Sequence, residues 1–182
     1  TFNANESRLL ICTNIRPIYR RSFTADYYIY DFKNKEIKPL SEGGSQQLAT
    51  FSPDGLRIAF VRNNNLFIHD LRFGSERQIT SDGKFNHIIN GAPDWVYEEE
   101  FTFNRAFEWA PDGSALAYIK FDESEVREFQ MNMFEGQSPA LEANKLYPSN
   151  YTYKYPKAGE KNSKVSVHVY DVNDRTTLKM DT

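Results

Sequence analysis

The chain has 182 residues, 40% hydrophobic and 26% charged, a globular composition that excludes a disordered segment and leaves room for a real core. Its net charge of -3, with no basic stripe among the aromatics, excludes a nucleic-acid surface, and no apolar run approaches the roughly 18 residues of a membrane span. Aromatic residues at 15%, mostly Phe and Tyr, favour β-structure.

In chain order, Phe2-Asn3-Ala4-Asn5-Glu6 leads into a predicted strand at Leu9-Leu10-Ile11. Cys12 follows directly. As the only cysteine it forms no internal disulfide, and its setting predicts a small buried side chain. A longer connection carrying Arg16, Arg20 and Arg21 reaches Ile29-Tyr30-Asp31-Phe32, then a short strand at Glu36-Ile37-Lys38-Pro39-Leu40. Phe51-Ser52-Pro53-Asp54-Gly55 restarts the pattern and leads into Ile58-Ala59-Phe60. Pro-Asp-Gly is a turn with a mechanism: Pro fixes φ, Asp bonds the following backbone and Gly accepts positive φ. Ile68-His69-Asp70-Leu71 and Glu76-Arg77-Gln78-Ile79-Thr80 complete the second copy, with His69 in the slot of Tyr30, which predicts a packing role. Trp109-Ala110-Pro111-Asp112-Gly113 opens the third copy, with Leu116-Ala117-Tyr118, Val169-Tyr170-Asp171-Val172 and Thr176-Thr177-Leu178-Lys179-Met180 after it. Units at about 2–45, 51–80 and 109–180, each read as turn, strand, strand, strand, point to an all-β fold of β-propeller blades. Three units do not close a ring, so the chain is expected to be part of a larger propeller.

The repeat exposes its own interruptions. The third unit takes a far longer path from Tyr118 to Val169 than the second takes from Phe60 to Ile68. Between units, residues 81–108 form a second insertion, which contains Asp94-Trp95-Val96-Tyr97-Glu98-Glu99-Glu100-Phe101. Insertions on a repetitive scaffold are where function is commonly carried. Trp95, Tyr97, Phe101 and Phe103 are expected to be partly buried, holding the carboxylates in place, with no Arg or Lys inside the segment to pair with them. On a strand, Glu99 and Glu100 would point to opposite faces. On a helix they lie about 100° apart and their long side chains can converge on one ligand. The motif therefore predicts a short helix over about Val96 to Phe103 with Asp94 as N-cap. Converging carboxylates suit a primary ammonium; a solvated acidic helix start explains the same residues.

The acidic segment closely resembles the glutamate motif of the dipeptidyl peptidase IV family, within the prolyl oligopeptidase clan. Tyr19-Arg20-Arg21-Ser22-Phe23-Thr24-Ala25 resembles the segment with that family's substrate-binding arginine, and Asn90-Gly91 and Tyr155-Pro156-Lys157-Ala158-Gly159 match as well. The resemblance covers nearly the whole chain. It implies three to four blades of an eight-bladed propeller that covers a C-terminal α/β-hydrolase domain, with the active site between them. It implies that Glu99 and Glu100 bind the N-terminal ammonium of a peptide substrate, so that dipeptides are released after proline or alanine. Glu98 is left structural or solvated. Alignment puts the arginine at Arg20, with Arg21 as the alternative and a solvated loop arginine as the other reading. The segment at about 122–156 resembles the arm through which family members form homodimers, and Phe129, Met131, Met133 and Phe134 give it an apolar face; a longer blade hairpin covered by its own chain explains it equally.

No Gly-x-Ser-x-Gly nucleophile signature occurs, so the hydrolase domain and its triad are expected outside this segment, and no catalytic residue is assigned within it. His69, His87 and His168 are scattered without metal-ligand spacing, and the resemblance implies no cofactor or metal. The chain opens without a charged-then-apolar leader, so any signal peptide is expected to be removed or to lie outside this segment. One cysteine makes a disulfide-built ectodomain less fitting than a bacterial periplasmic or secreted enzyme. A non-catalytic binding homologue and a generic propeller scaffold are the competing functions.

Overall fold

The computed structural model describes residues 1–134, 136 and 146–181. Three antiparallel sheets follow one another along the chain. The first is β1 (Arg8–Pro17), β2 (Phe23–Asp31) and β3 (Glu36–Pro39) in that order. The second is β4 (Gln47–Phe51), β5 (Arg57–Arg62), β6 (Asn65–Asp70) and β7 (Ser75–Gln78). Then come β8 (Ile88–Asn90), helix α1 (Trp95–Phe101), β9 (Phe107–Trp109) and β10 (Ala115–Asp122), a hairpin of β11 (Glu128–Met133) and β12 (Ser149–Lys154), and last β13 (Lys164–Asp171) and β14 (Thr176–Lys179). The third sheet runs β14-β13-β10, with β8 and β9 both paired to β10.

The sheets stack as propeller blades, and β5 shows why. Its Ile58-Ala59-Phe60-Val61 run is buried throughout, because both faces of the middle sheet are covered. Alternation sends Ile58 and Phe60 against Leu10 and Ile29 of the first sheet and Leu40 just after it. It sends Ala59 and Val61 against Trp109, Leu116 and Tyr118 of the third. Burying Ile58, Phe60 and Val61 contributes about 1.5–3 kcal/mol each relative to exposure. The outermost strands β3, β7 and β14 are exposed along their length.

The repeated turns have repeated chemistry. Asp54 Oδ1 accepts the Leu56 N–H at 2.9 Å and Asp112 Oδ1 accepts that of Ser114 at 2.9 Å. Asn5 does the same for Ser7 at 3.2 Å, and Glu6 takes the glycine slot at φ 55°, which is how the first copy departs from the motif. Gly113 has φ +71° and lies so close to Asp54 that a Cβ there would stand 2.9 Å from its carboxylate. The turns of adjacent blades therefore touch, and the glycine serves both conformation and approach.

Two expectations need correction here. The second blade starts at Gln47 rather than Phe51, because the innermost strands β4 and β9 precede the Pro-Asp-Gly turns. A register shift between Gln47 and Thr50, with Leu48 at φ 61°, hides the alternation that would have marked β4. Cys12, expected buried, lies on β1 and is partly exposed.

The insertion at residues 81–108 is a detour in the innermost strand of the third blade. β9 pairs with Leu116–Tyr118 and β8 with Lys120–Asp122 along one edge of β10, and the chain between them swings out and back. Its neck is closed where Ala106 N–H donates to Gly91 O at 3.0 Å, while Gly91 N–H donates to Ile119 O and Ile119 N–H to Ala106 O. The insertion between Tyr118 and Val169 leaves β10 as the β11–β12 hairpin, whose tip falls outside the described residues.

Candidate functional site

The detour carries α1. Asp94 is its N-cap, with extended backbone and Oδ1 accepting the Tyr97 N–H at 2.9 Å. Its other oxygen accepts from the Ser163 hydroxyl, and its 4% exposure raises the carboxyl above its ordinary range, burial outweighing the hydrogen bonds it accepts. The helix begins one residue before the expected start and ends at Phe101, because Thr102 turns left-handed at φ 62°. Tyr97 anchors it to the core, its ring 5.0 Å from that of buried Phe121. Trp95 packs on Tyr155 and Tyr153 at the base of the β11–β12 hairpin, with ring centroids 4.5 and 6.3 Å away. Phe101 is a correction: expected partly buried, it is 61% exposed and lies over the outer side of Tyr97 at 5.1 Å.

With about 3.6 residues per turn, three successive glutamates fan from inside to outside. Glu98 points inward and is fully buried. Its Oε1 accepts the N–H groups of Arg21 at 2.7 Å and Ser22 at 3.0 Å. Glu99 stands at the rim, where Arg20 Nε approaches its carboxylate to 3.0 Å. Glu100 faces solvent and, among the described residues, makes no ion pair. The expectation of carboxylates without an arginine partner holds inside the segment but not in space.

Arg20 and Arg21 sit in the loop between β1 and β2, and the structure separates their contacts. Of the two guanidinium groups, that of Arg20 reaches a carboxylate of the motif, while that of Arg21 donates to the Glu98 carbonyl at 3.3 Å. The loop closes on itself through Ile18 N–H to Ser22 O, and Asn104, beyond the helix, donates to Arg21 O at 3.3 Å. Arg20 and Glu99 are thus brought together by two segments, with Glu100 the next residue on the helix, and Glu98 joins those segments.

A cavity of about 470 Å³ lies beside the loop, with Tyr19, Ser22, Pro93, Glu123 and Tyr151 in its wall. Burial, with the nearby Asp94 and Asp122 charges in the same direction and Lys154 opposing, pushes Glu123 up to about 7. Burial likewise pushes the Tyr19 hydroxyl upward, reinforced by the charges around it. Glu123, Ser163 and the Tyr151-Tyr153-Tyr155 face are not singled out as site residues from the sequence. The available signal was the period-two aromatic run, the mark of one face of a strand. Among the described residues no group of His, Cys, Asp and Glu could hold a metal ion, and no helix is long and apolar enough to cross a membrane.

The arrangement is a rim carboxylate oriented by a guanidinium, beside a solvent-facing carboxylate one residue on. It offers acceptors to a ligand's cationic head and a guanidinium donor to an adjacent carbonyl. The family described as "Dipeptidyl peptidase IV (DPP IV) N-terminal region" matches residues 3–182. This chain belongs to that family. As a dipeptidyl peptidase IV N-terminal region it is 40% identical over 173 residues to a "Probable dipeptidyl-aminopeptidase B" of Podospora anserina, covering 91% of this chain and 18% of that protein. A protein of the same description from Emericella nidulans is 40% identical over 185 residues, with 96% and 20% covered. The crystal structure of Porphyromonas gingivalis dipeptidyl peptidase 4 is similar at a TM-score of 0.92 and 46% identity, over 100% of this chain and 25% of that one. The chain thus spans about a fifth to a quarter of these relatives, in the propeller portion.

Proposed function

We propose that this chain is the substrate-anchoring part of the propeller of a serine-type dipeptidyl peptidase, and that Glu99, Glu100 and Arg20 hold the N-terminal end of a peptide. The observation that carries the reading is the contact of Arg20 with Glu99 beside exposed Glu100 on one rigid helix. A primary ammonium has three N–H donors, which suits two carboxylates, and each such charge-assisted bond contributes about 1.5–3 kcal/mol. The arginine fork suits the first carbonyl of the substrate. Anchoring the terminus on a capped, core-tied helix fixes a distance to the scissile bond, so that X-Pro and X-Ala dipeptides are released. The hydrolysis belongs to a C-terminal α/β-hydrolase domain of the full-length protein.

Homodimerisation through residues 122–156 is part of the proposal. The β11–β12 hairpin extends from the blade edge, and Phe129 and Met131 are exposed on it at 39% and 40%. A bacterial source is supported by the 46% identity to the P. gingivalis protein over the whole chain, beside 40% to the fungal ones. A periplasmic or secreted location goes with that source.

The test is hydrolysis by the full-length protein of a Gly-Pro chromogenic substrate and of its N-acetylated form. The free-amine substrate should be strongly preferred, and Glu99→Ala or Glu100→Ala should lower kcat/KM by about tenfold to a hundredfold per lost bond. Equal hydrolysis of both substrates would exclude ammonium anchoring, and tight binding without hydrolysis would indicate a non-catalytic relative.

A further inference from the structure

Glu98 is the first glutamate of the motif, and the anchoring role has no use for it at the ligand. It has no exposed surface, yet its carboxylate is deeply engaged. One oxygen takes two consecutive main-chain N–H groups, from Arg21 and Ser22, and its own carbonyl takes the Arg21 guanidinium. Both segments are otherwise tied to different blades, the loop to the first and the helix to the third. The carboxylate is thus a cross-blade clip, set one residue from Arg20 on the loop and one residue from Glu99 on the helix.

We infer that Glu98 is a positioning residue for substrate binding: it fixes the β1–β2 loop on α1 so that the Arg20 guanidinium is held at Glu99. The reasons are geometric. The Arg20 side chain is 73% exposed, and an exposed ion pair is too weak to order a loop by itself. The two hydrogen bonds from loop amides end on one oxygen of a side chain with no exposed surface, so they set the loop geometry and the Arg20–Glu99 contact follows from it. Among the described residues the hydrogen bonds of the Glu98 carboxylate go to the loop amides alone. Glu98 thereby acts on the ligand only through Arg20.

This inference rests on the anchoring role proposed above, and the experiment separates the two. In the full-length protein, kinetics with free-amine and N-acetylated Gly-Pro substrates are measured for Arg20→Ala, Glu98→Ala and the double variant. Glu98→Asp, which keeps the charge but shortens the reach, replaces Glu98→Ala throughout if that variant is not recovered folded. Glu98→Ala should raise KM for the free-amine substrate about as much as Arg20→Ala, by roughly tenfold, the change given by 1.4 kcal/mol. In the Arg20→Ala background the same substitution should change KM by less than about twofold, because the group it acts through is gone. A Glu98 substitution that leaves KM unchanged, or multiplies it equally in both backgrounds, overturns the positioning role while the anchoring role stands. If Arg20→Ala, Glu99→Ala and Glu100→Ala all leave the free-amine preference intact, both ideas fail together.

Discussion

Arg20 Nε lies 3.0 Å from a carboxylate oxygen of Glu99 although 79 positions separate them in the chain. The guanidinium is 73% exposed and the carboxylate 17%, so the contact adds little to stability and its value is orientation. Arg20→Ala is expected to change unfolding free energy by about 0–1 kcal/mol. It should nevertheless weaken substrate capture. Arg20→Lys should recover only part of the loss, since an ammonium lacks the planar fork. Melting curves beside kcat/KM for the three proteins check this; a loss of activity that tracks a loss of stability would contradict it.

Asp94 takes the Tyr97 N–H, one of the four backbone donors left open at the start of α1, and it also holds Ser163. Asp94→Ala should cost about 1–2 kcal/mol, while Asp94→Asn keeps an acceptor for the Tyr97 N–H and should cost less. Chemical denaturation of the three forms gives the order; equal stability for Asn and Ala variants would remove the capping explanation.

Gly91 sits at the neck of the detour with φ +78°, and a Cβ there would stand 2.7 Å from Leu66 Cδ2 in the core. Gly91→Ala combines a left-handed backbone penalty with overpacking and should cost about 2–4 kcal/mol. It should also lower activity by tilting α1. Thermal unfolding within about 0.5 kcal/mol of the parent would show that the neck is looser than described.

Glu123 is 6% exposed and is pushed up to about 7 by burial. Between the ordinary carboxylate value of 4.5 and about 7, the unfolded chain releases this proton while the folded one keeps it. Stability therefore falls as pH rises through that window, by on the order of 3 kcal/mol at most, and the contribution is complete only below it. Glu123→Gln imitates the protonated form, so it should raise the Tm at about pH 8 and leave it nearly unchanged at about pH 4.5. A Tm difference that is the same at both pH values would assign the effect to packing instead.

The sequence by itself determined the blades, because the turn chemistry is local. Asp54 and Asp112 bond amides two residues on, and the glycines answer to their own φ. It determined the helix and its cap for the same reason: Asp94 needs only the Tyr97 N–H three residues away. The resemblance singled out Glu99, Glu100 and Arg20, and the structure brings Arg20 to Glu99. Three identical glutamates in a row, however, carry no phase, so nothing local says which one faces the protein. Only the tertiary structure turned Glu98 inward to the Arg21 and Ser22 amides, gave Arg20 rather than Arg21 the contact with Glu99, and left Phe101 in solvent. The physical reason is that the rotation of a two-turn helix is set by its anchors. Those anchors are the neck at Gly91 and Ala106, the Tyr97 contact with Phe121, and a loop from another blade.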